Sequence, residues 1–406
     1  MPNTQLQQKV IRTLATAQVL NGLGVAGTVA AGSLLVSSVS KSETLAGLAQ
    51  TSSVLGAAAL ALPLARLTQI GGRRLALSMG LILGVIGSLL VISGGLNENL
   101  YLILLGTFLV GAASASGYQA RFAAIDLATS QRSSQQLSFV VWGSTIGAVA
   151  GPNLMQPSGD FARKLGFPEL VGPYFISAIT LTLAAAVILI FLRPDPYLTA
   201  NKLSSEKQEQ ITNKLALKHI LCNKLARFAI AAITVGHVAM VSVMVMTPIH
   251  MAHVDVTLRI IGIVISIHVL GMYAFSPVVG LVSDRIGGVA TIKIGLTTLM
   301  ISSVIAGTSP AGDAIRLGVG LFLLGLGWSC TLIAGSTLLS QSVELNFKSA
   351  SQGASDLVMN LAGAGGGAVA GVIIATLSYG WLCLIASIPV AYLALTSLKL
   401  KPGLLK

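Results

Sequence analysis

A fifteen-residue segment, Leu137 to Gly151 (LSFVVWGSTIGAVAG), returns 220 residues later as Leu357 to Gly371 (LVMNLAGAGGGAVAG), with seven of the fifteen positions identical. Gly143, Gly147 and Gly151 are spaced by four, and so are Gly363, Gly367 and Gly371. On a helix this spacing gathers the glycines into one stripe, where a second backbone can approach closely. A helix with no bulk on one face and apolar residues elsewhere suits lipid, where association depends on close packing rather than on expelling water. Its return at so long a spacing marks the chain as two copies of one large unit.

Composition agrees with a lipid environment. Of 406 residues, 9% are charged and 54% hydrophobic, against roughly 25% charged for a soluble chain. A water-facing surface cannot be built from so few charges. Cys222, Cys330 and Cys383 are far apart and form no ligand spacing, so neither a disulfide frame nor a metal site is expected. Gly22-x-Gly24-x-x-Gly27 satisfies a dinucleotide-binding pattern but sits inside an apolar helix without a preceding strand, so it reads as helix packing. HExxH, Walker and GxSxG motifs are missing, so the chain reads as neither an enzyme nor a cofactor carrier.

A membrane helix needs about 20 mostly apolar residues. By that rule spans are expected near 12–39, 44–66, 75–95, 100–124, 136–156 and 172–192, then near 228–249, 258–282, 289–308, 314–339, 353–377 and 381–398. This predicts an all-α membrane protein with twelve transmembrane helices in two six-helix bundles, 1–192 and 228–406, joined by a polar linker at 193–227. Lys9 and Arg12 precede the first apolar run and no A-x-A site follows it, so it reads as a membrane helix, not a cleaved signal.

Twenty of the 25 basic residues fall on the face shared by both termini and five on the other. That bias predicts cytoplasmic termini and a multi-pass protein of the cell membrane. It also accounts for the net charge of +12 without a nucleic-acid partner. The absence of an Asn-x-Ser/Thr sequon fits a bacterial protein. Within the linker, Arg193-Pro-Asp-Pro196 stops the sixth span and Ser205 to Gln208 offers a capping box. Ile211, Leu215, Leu221 and Leu225, with Lys214, Lys218 and Lys224, fit a basic amphipathic helix on the inner leaflet, and equally a solvated linker. Because this linker joins spans 6 and 7 on one side, the two bundles run in the same sense about an axis along the membrane normal.

The loop after span 8 reads Gly280-Leu-Val-Ser-Asp284-Arg285-Ile-Gly287-Gly288. It closely resembles the G-x-L-x-D-R-x-G-R/K signature of the major facilitator superfamily, which follows the second helix of each half. Gly147-x3-Gly151-Pro152 in span 5 resembles part of the antiporter signature of that superfamily's drug/proton exchangers. In the first half the loop signature is decayed: Leu64, Thr68 and Gln69 replace its Gly, Asp and Arg, while Gly71-Gly72-Arg73-Arg74 remain. The resemblance implies loop contacts with the opposite half, placing Arg73 and Arg74 near Asp356 and Asp284 at the positive end of span 5. It implies a gating role for Arg73, Arg74, Asp126, Asp284, Arg285 and Asp356, with local pairing of Asp284 and Arg285 as the alternative.

Polar residues inside spans are costly and are the candidates for a site. His237 and His268 fall near the middles of spans 7 and 8, where either could carry a coupling proton or simply join helices. Gln18, Asn21, Tyr118, Trp142, Trp328 and Asn360 are candidate substrate contacts, of which Asn21, His237 and Trp328 best match the lining that the resemblance implies. Arg121 either holds an anionic group of a substrate or snorkels to the inner surface and pairs with Asp126. The expectation is a monomeric secondary transporter for a small organic solute, alternating between two faces of the bilayer and running as proton-coupled efflux. The alternatives are a uniporter or importer of a neutral or anionic metabolite, and a non-transporting receptor.

Overall fold

The computed structural model describes residues 2–42, 45, 47–203, 220–252, 258–310 and 312–399. Fourteen α-helices account for most of them: α1 Pro2–Ser40, α2 Gly47–Leu96, α3 Leu100–Ala123, α4 Ser133–Asn153, α5 Met155–Lys164, α6 Gly172–Phe191, α7 Pro196–Leu203, α8 Lys224–Ala252, α9 Leu258–Val269, α10 Ser276–Ile286, α11 Gly288–Gly307, α12 Ala314–Ser342, α13 Leu345–Thr376 and α14 Tyr379–Ser397. A π-helical turn, Leu270–Ala274, joins α9 to α10. No strand occurs among the described residues.

Ten of these stretches are long and apolar enough to cross a membrane, and eleven if α4 and α5, bent by 55°, count as one broken span. Span 5 was expected to run on to 156, but α4 ends at Asn153 and the chain turns sharply into α5. The predicted spans 2 and 3 lie within Gly47–Leu96 as two helical segments that meet at Gly72, whose φ of 81° and ψ of 179° are non-helical and need glycine. An unbroken helix of 50 residues would be about 75 Å long at 1.5 Å per residue, more than twice the ~30 Å hydrocarbon layer. Gly287 does the same between α10 and α11 with φ 91° and ψ 153°. The two loop signatures thus share a backbone device even where their side chains differ.

The ends of several helices are fixed by single side chains. Asn99 accepts a hydrogen bond from Leu102 N at the start of α3, Asp313 from Arg316 N before α12, and Ser378 from Trp381 N before α14. Asp195 caps α7 through Tyr197 N and Leu198 N while its second oxygen accepts from Arg74 N at 2.7 Å. The expected Ser205 to Gln208 helix start, with Ile211, Lys214, Leu215 and Lys218, lies outside the described residues.

By contacts the chain divides into two units. Unit 1 comprises Met1–Ala128, Gly143–Ala216 and Leu345–Asn360, and unit 2 comprises Thr129–Trp142, Leu217–Glu344 and Leu361–Lys406. Helices α4 and α13, the repeated pair, are each divided between the units. In unit 1 the glycines of α4 lie on α1: a Cβ on Gly147 would sit 2.4 Å from the Gly22 carbonyl carbon, and one on Gly151 2.6 Å from the Ala26 Cβ. Gly22 and Gly27 return this contact, and Gly24 faces Thr180 and Leu181 of α6. In unit 2 the matching stripe lies on α8 but less tightly: Gly367 faces Val241 at 3.5 Å and Gly371 faces Met246 at 3.9 Å.

Candidate functional site

Three groups of polar side chains buried inside the apolar helices hold candidate residues for solute or proton. The first, in unit 1, is at the C-terminal end of α3. Arg121 Nη2 lies 2.5 Å from Asp356 Oδ1, with side chains 2% and 1% exposed. The guanidinium is 4.6 Å from the Phe122 ring centre and 5.7 Å from that of Tyr118, so aromatic faces replace part of its lost hydration. One turn along α13, Asn360 Nδ2 donates to the Asp356 carbonyl at 2.7 Å. Tyr118, Arg121, Asp356 and Asn360 therefore form one cluster.

Beside it, Arg73 binds Asp126 with two hydrogen bonds, Nε to Oδ2 at 2.8 Å and Nη2 to Oδ1 at 3.1 Å. The same Nη2 donates to Gln352 Oε1 at 2.6 Å. Burial pushes the Asp126 carboxyl above the ordinary carboxylate range, and the Arg73 charge pulls it back. Arg73 thus reaches α13 one turn before Asp356, while the ion-pair partner of Asp356 is Arg121. One expectation is corrected: Arg121 is buried against Asp356 instead of snorkelling, and Asp126 is held by Arg73. The reason is geometric: α3 ends at Ala123, and the turn after it carries Asp126 toward Arg73, leaving Arg121 facing α13. Arg74 engages Asp195 through its backbone N–H.

The second place, also in unit 1, lies along α1. Gln18 Nε2 donates to Ser144 Oγ at 2.9 Å, and Asn21 Nδ2 to the Ala113 carbonyl at 3.2 Å. Asn21 is buried and its Oδ1 has no partner. Gly117 makes this possible, because a Cβ there would lie 2.5 Å from Asn21 Nδ2 and 3.3 Å from Gln18.

The third place, in unit 2, is aromatic. Trp328 Nε1 donates to His237 Nδ1 at 3.2 Å, and Tyr273 meets the Trp328 ring edge-on at 5.6 Å. Gly363 leaves room for the imidazole, since a Cβ would fall 2.8 Å from His237 Nε2. His268 stands apart and is fully buried, its Nδ1 2.7 Å from the Leu321 carbonyl. A carbonyl only accepts, so Nδ1 carries the hydrogen and Nε2 is left as an acceptor with no partner. Trp142 is 41% exposed and joins none of these clusters.

Also in unit 2, Asp284 accepts from Ser134 N and Gln135 N at 2.9 Å each, so its carboxylate closes the first turn of α4. Ser134 Oγ further donates to Ser283 Oγ at 2.9 Å. Arg285 is exposed. Among the described residues no group of three or more His, Cys, Asp or Glu comes together.

A family model described as Major Facilitator Superfamily matches residues 14–367. The chain belongs to the major facilitator superfamily. Among relatives of this superfamily member, the uncharacterized MFS-type transporter YdeG of Bacillus subtilis is 35% identical over 385 residues, 94% of this chain and 90% of that protein. The riboflavin transporter RfnT of Brucella anthropi is 26% identical, covering 88% and 87%. The E. coli fucose:proton symporter FucP superposes with a TM-score of 0.74 at 15% identity, covering 95% of this chain and 97% of that one. The last likeness shows the fold alone. The protein is thus a multi-pass membrane transporter of this superfamily.

Sequence reasoning missed Gln352, Tyr273 and Asp195. Gln352 could have been found: it precedes Asp356 by four residues and so shares its helix face. Nothing in the sequence aims Tyr273 at Trp328 or Asp195 at Arg74, because those contacts depend on how separate helices pack.

Proposed function

We propose that the protein is a secondary active transporter that moves a small, flat organic solute by alternating access, with a proton as the coupling ion and efflux as the direction. In this reading two bundles, 1–192 and 228–406, part alternately toward either face of the cell membrane, with both termini cytoplasmic. Counting the two sides of the Gly72 break separately brings the eleven spans to twelve. The observation that carries the reading is the buried pair Arg121–Asp356, which joins residues from the two sequence halves inside unit 1. A charge pair held dry is a costly element that a lipid-embedded chain keeps for function. With Arg73–Asp126–Gln352, it acts as an inner gate that is made in one state and broken in the other.

The Trp328, Tyr273 and His237 cluster supplies ring faces and a hydrogen-bond group for a planar solute. The relative named as a riboflavin transporter supports that class. The proton belongs on His268 rather than His237. His237 already uses its Nδ1 lone pair to accept from Trp328, so protonation there breaks a hydrogen bond, whereas a proton on His268 Nε2 breaks none and its cost is the burial of the charge.

The test is transport in proteoliposomes, using riboflavin and a panel of planar dyes as probes, with and without an imposed pH gradient. Gradient-driven accumulation supports the reading, and binding without flux sinks it in favour of a receptor. Uptake or import of an anionic metabolite is the second reading, favoured by Arg121, whose charge an anion could claim from Asp356. Flux of such an anion, insensitive to the gradient, would select it.

A further inference from the structure

Helix α5, Met155–Lys164, stands between two complete crossings. α4 has 21 residues and α6 has 20, about 31 and 30 Å at 1.5 Å per residue, so each matches the ~30 Å hydrocarbon layer unaided. Consecutive crossings end and begin at the same face of a bilayer. The end of α4 at Asn153 and the start of α6 at Gly172 therefore bracket α5 at one membrane boundary. Its ten residues are about 15 Å long, too short to cross, and a bend of 55° turns it off the α4 axis.

The surface of α5 divides three ways. Ser158, Gly159 and Ala162 are buried. Gly172 opens that contact, because a Cβ there would meet the Ser158 carbonyl, and a Cβ on Gly159 would lie 2.6 Å from the Glu169 Cγ. Gln156, Asp160, Arg163 and Lys164 form an exposed polar side. There Arg163 Nη2 reaches Asp160 Oδ1 at 3.0 Å and Glu169 Oε2 at 2.8 Å. Pro157, Phe161 and Leu165, spaced by four, make a third, apolar stripe. In it Phe161 is 55% and Leu165 53% exposed. The buried side and the Arg163 pairs fix the roll of the helix, so this stripe cannot turn inward.

We propose that α5 is an interfacial helix whose partner is the phospholipid surface: Phe161 and Leu165 dip into the lipid where α4 ends, and the charged side faces water. Amphipathic helices of this kind rest about 5–10 Å into the boundary of headgroups and acyl chains. This contact is independent of the transport reading. The test places a nitroxide on single cysteines, Phe161→Cys, Leu165→Cys and Gln156→Cys, in a Cys222→Ser background, since Cys330 and Cys383 are buried. The full chain is reconstituted in phosphatidylcholine vesicles. Collision of each label with oxygen, which partitions into lipid, is compared with collision with a water-soluble nickel chelate. Labels at positions 161 and 165 are expected to meet oxygen, to lose collision with the chelate and to lie about 5–10 Å below the phosphates, while the label at 156 meets the chelate freely. Equal chelate collision at all three positions puts α5 in water and overturns the proposal. Loss of both oxygen and chelate collision at 161 and 165 overturns it as well, because protein, such as a second copy of the chain, then covers the stripe.

Discussion

Arg121 and Asp356 meet at 2.5 Å with both side chains almost fully buried, although 235 residues separate them in sequence. Removing one partner strands a charge in a dry place, which costs about 3–5 kcal/mol, while replacing both with apolar residues is close to neutral or stabilising. Thermal unfolding should therefore show Arg121→Met and Asp356→Leu each strongly destabilised and the double variant largely restored. If the pair also gates transport, the double variant should fold yet lose flux. Single variants that melt like wild type would remove the pair from any structural account.

The two glycine stripes make opposite predictions despite their shared glycine spacing. A Cβ at Gly147 lands 2.4 Å from the Gly22 carbonyl carbon, so Gly147→Ala must push α4 off α1 and should cost about 1–3 kcal/mol, as overpacking does. At Gly371 the nearest atom is the Met246 Cε, 3.9 Å away, so Gly371→Ala fits and should gain about 0.5–1 kcal/mol from the better helix former. Melting temperatures of the two variants decide this directly. Equal effects would mean that the stripes pack alike.

That contrast shows what the sequence could and could not say. Span positions were legible because 20-residue apolar runs leave few other options, and the glycine spacing named the close-packing helices. How short the break between spans 2 and 3 is was not legible, because only Gly72 leaves helical geometry there. Partner choice was least legible. Arg121 was weighed against the neighbour five residues on, Asp126, whereas the turn after α3 hands that acid to Arg73 and leaves Arg121 to α13. Charge pairing follows from helix packing, and one sequence does not encode distances between helices that lie far apart along the chain.

Asp284 tests the loop signature separately from the buried pair. Its two oxygens take the free N–H groups of Ser134 and Gln135, where an anion also meets the positive end of α4. Asp284→Ala should lower stability by about 0.5–2 kcal/mol, the usual worth of a capping side chain, and Asp284→Asn by less because one acceptor remains. Arg285→Ala, at the exposed neighbour, should stay within about 0.5 kcal/mol of wild type. Denaturation in detergent measures all three. A larger loss from Arg285→Ala than from Asp284→Ala would reverse the assignment of the signature's active member.

The two histidines differ in what their Nδ1 atoms bind, and this sets the last prediction. His237 keeps its Nδ1 lone pair on the Trp328 N–H, and a Cβ at Gly363 would press on its ring. His268 gives its only hydrogen to the Leu321 carbonyl and holds Nε2 bare, beside the π-turn at Leu270–Ala274. Turns of that kind are rare in helices and frequent at functional sites. His268→Gln keeps a donor toward Leu321 but cannot take a proton, so it should retain solute exchange at equilibrium and lose its response to a pH gradient. His237→Gln should raise the KM for the solute and keep the gradient response. A His268→Gln protein that still concentrates solute under a gradient would take the proton away from this residue.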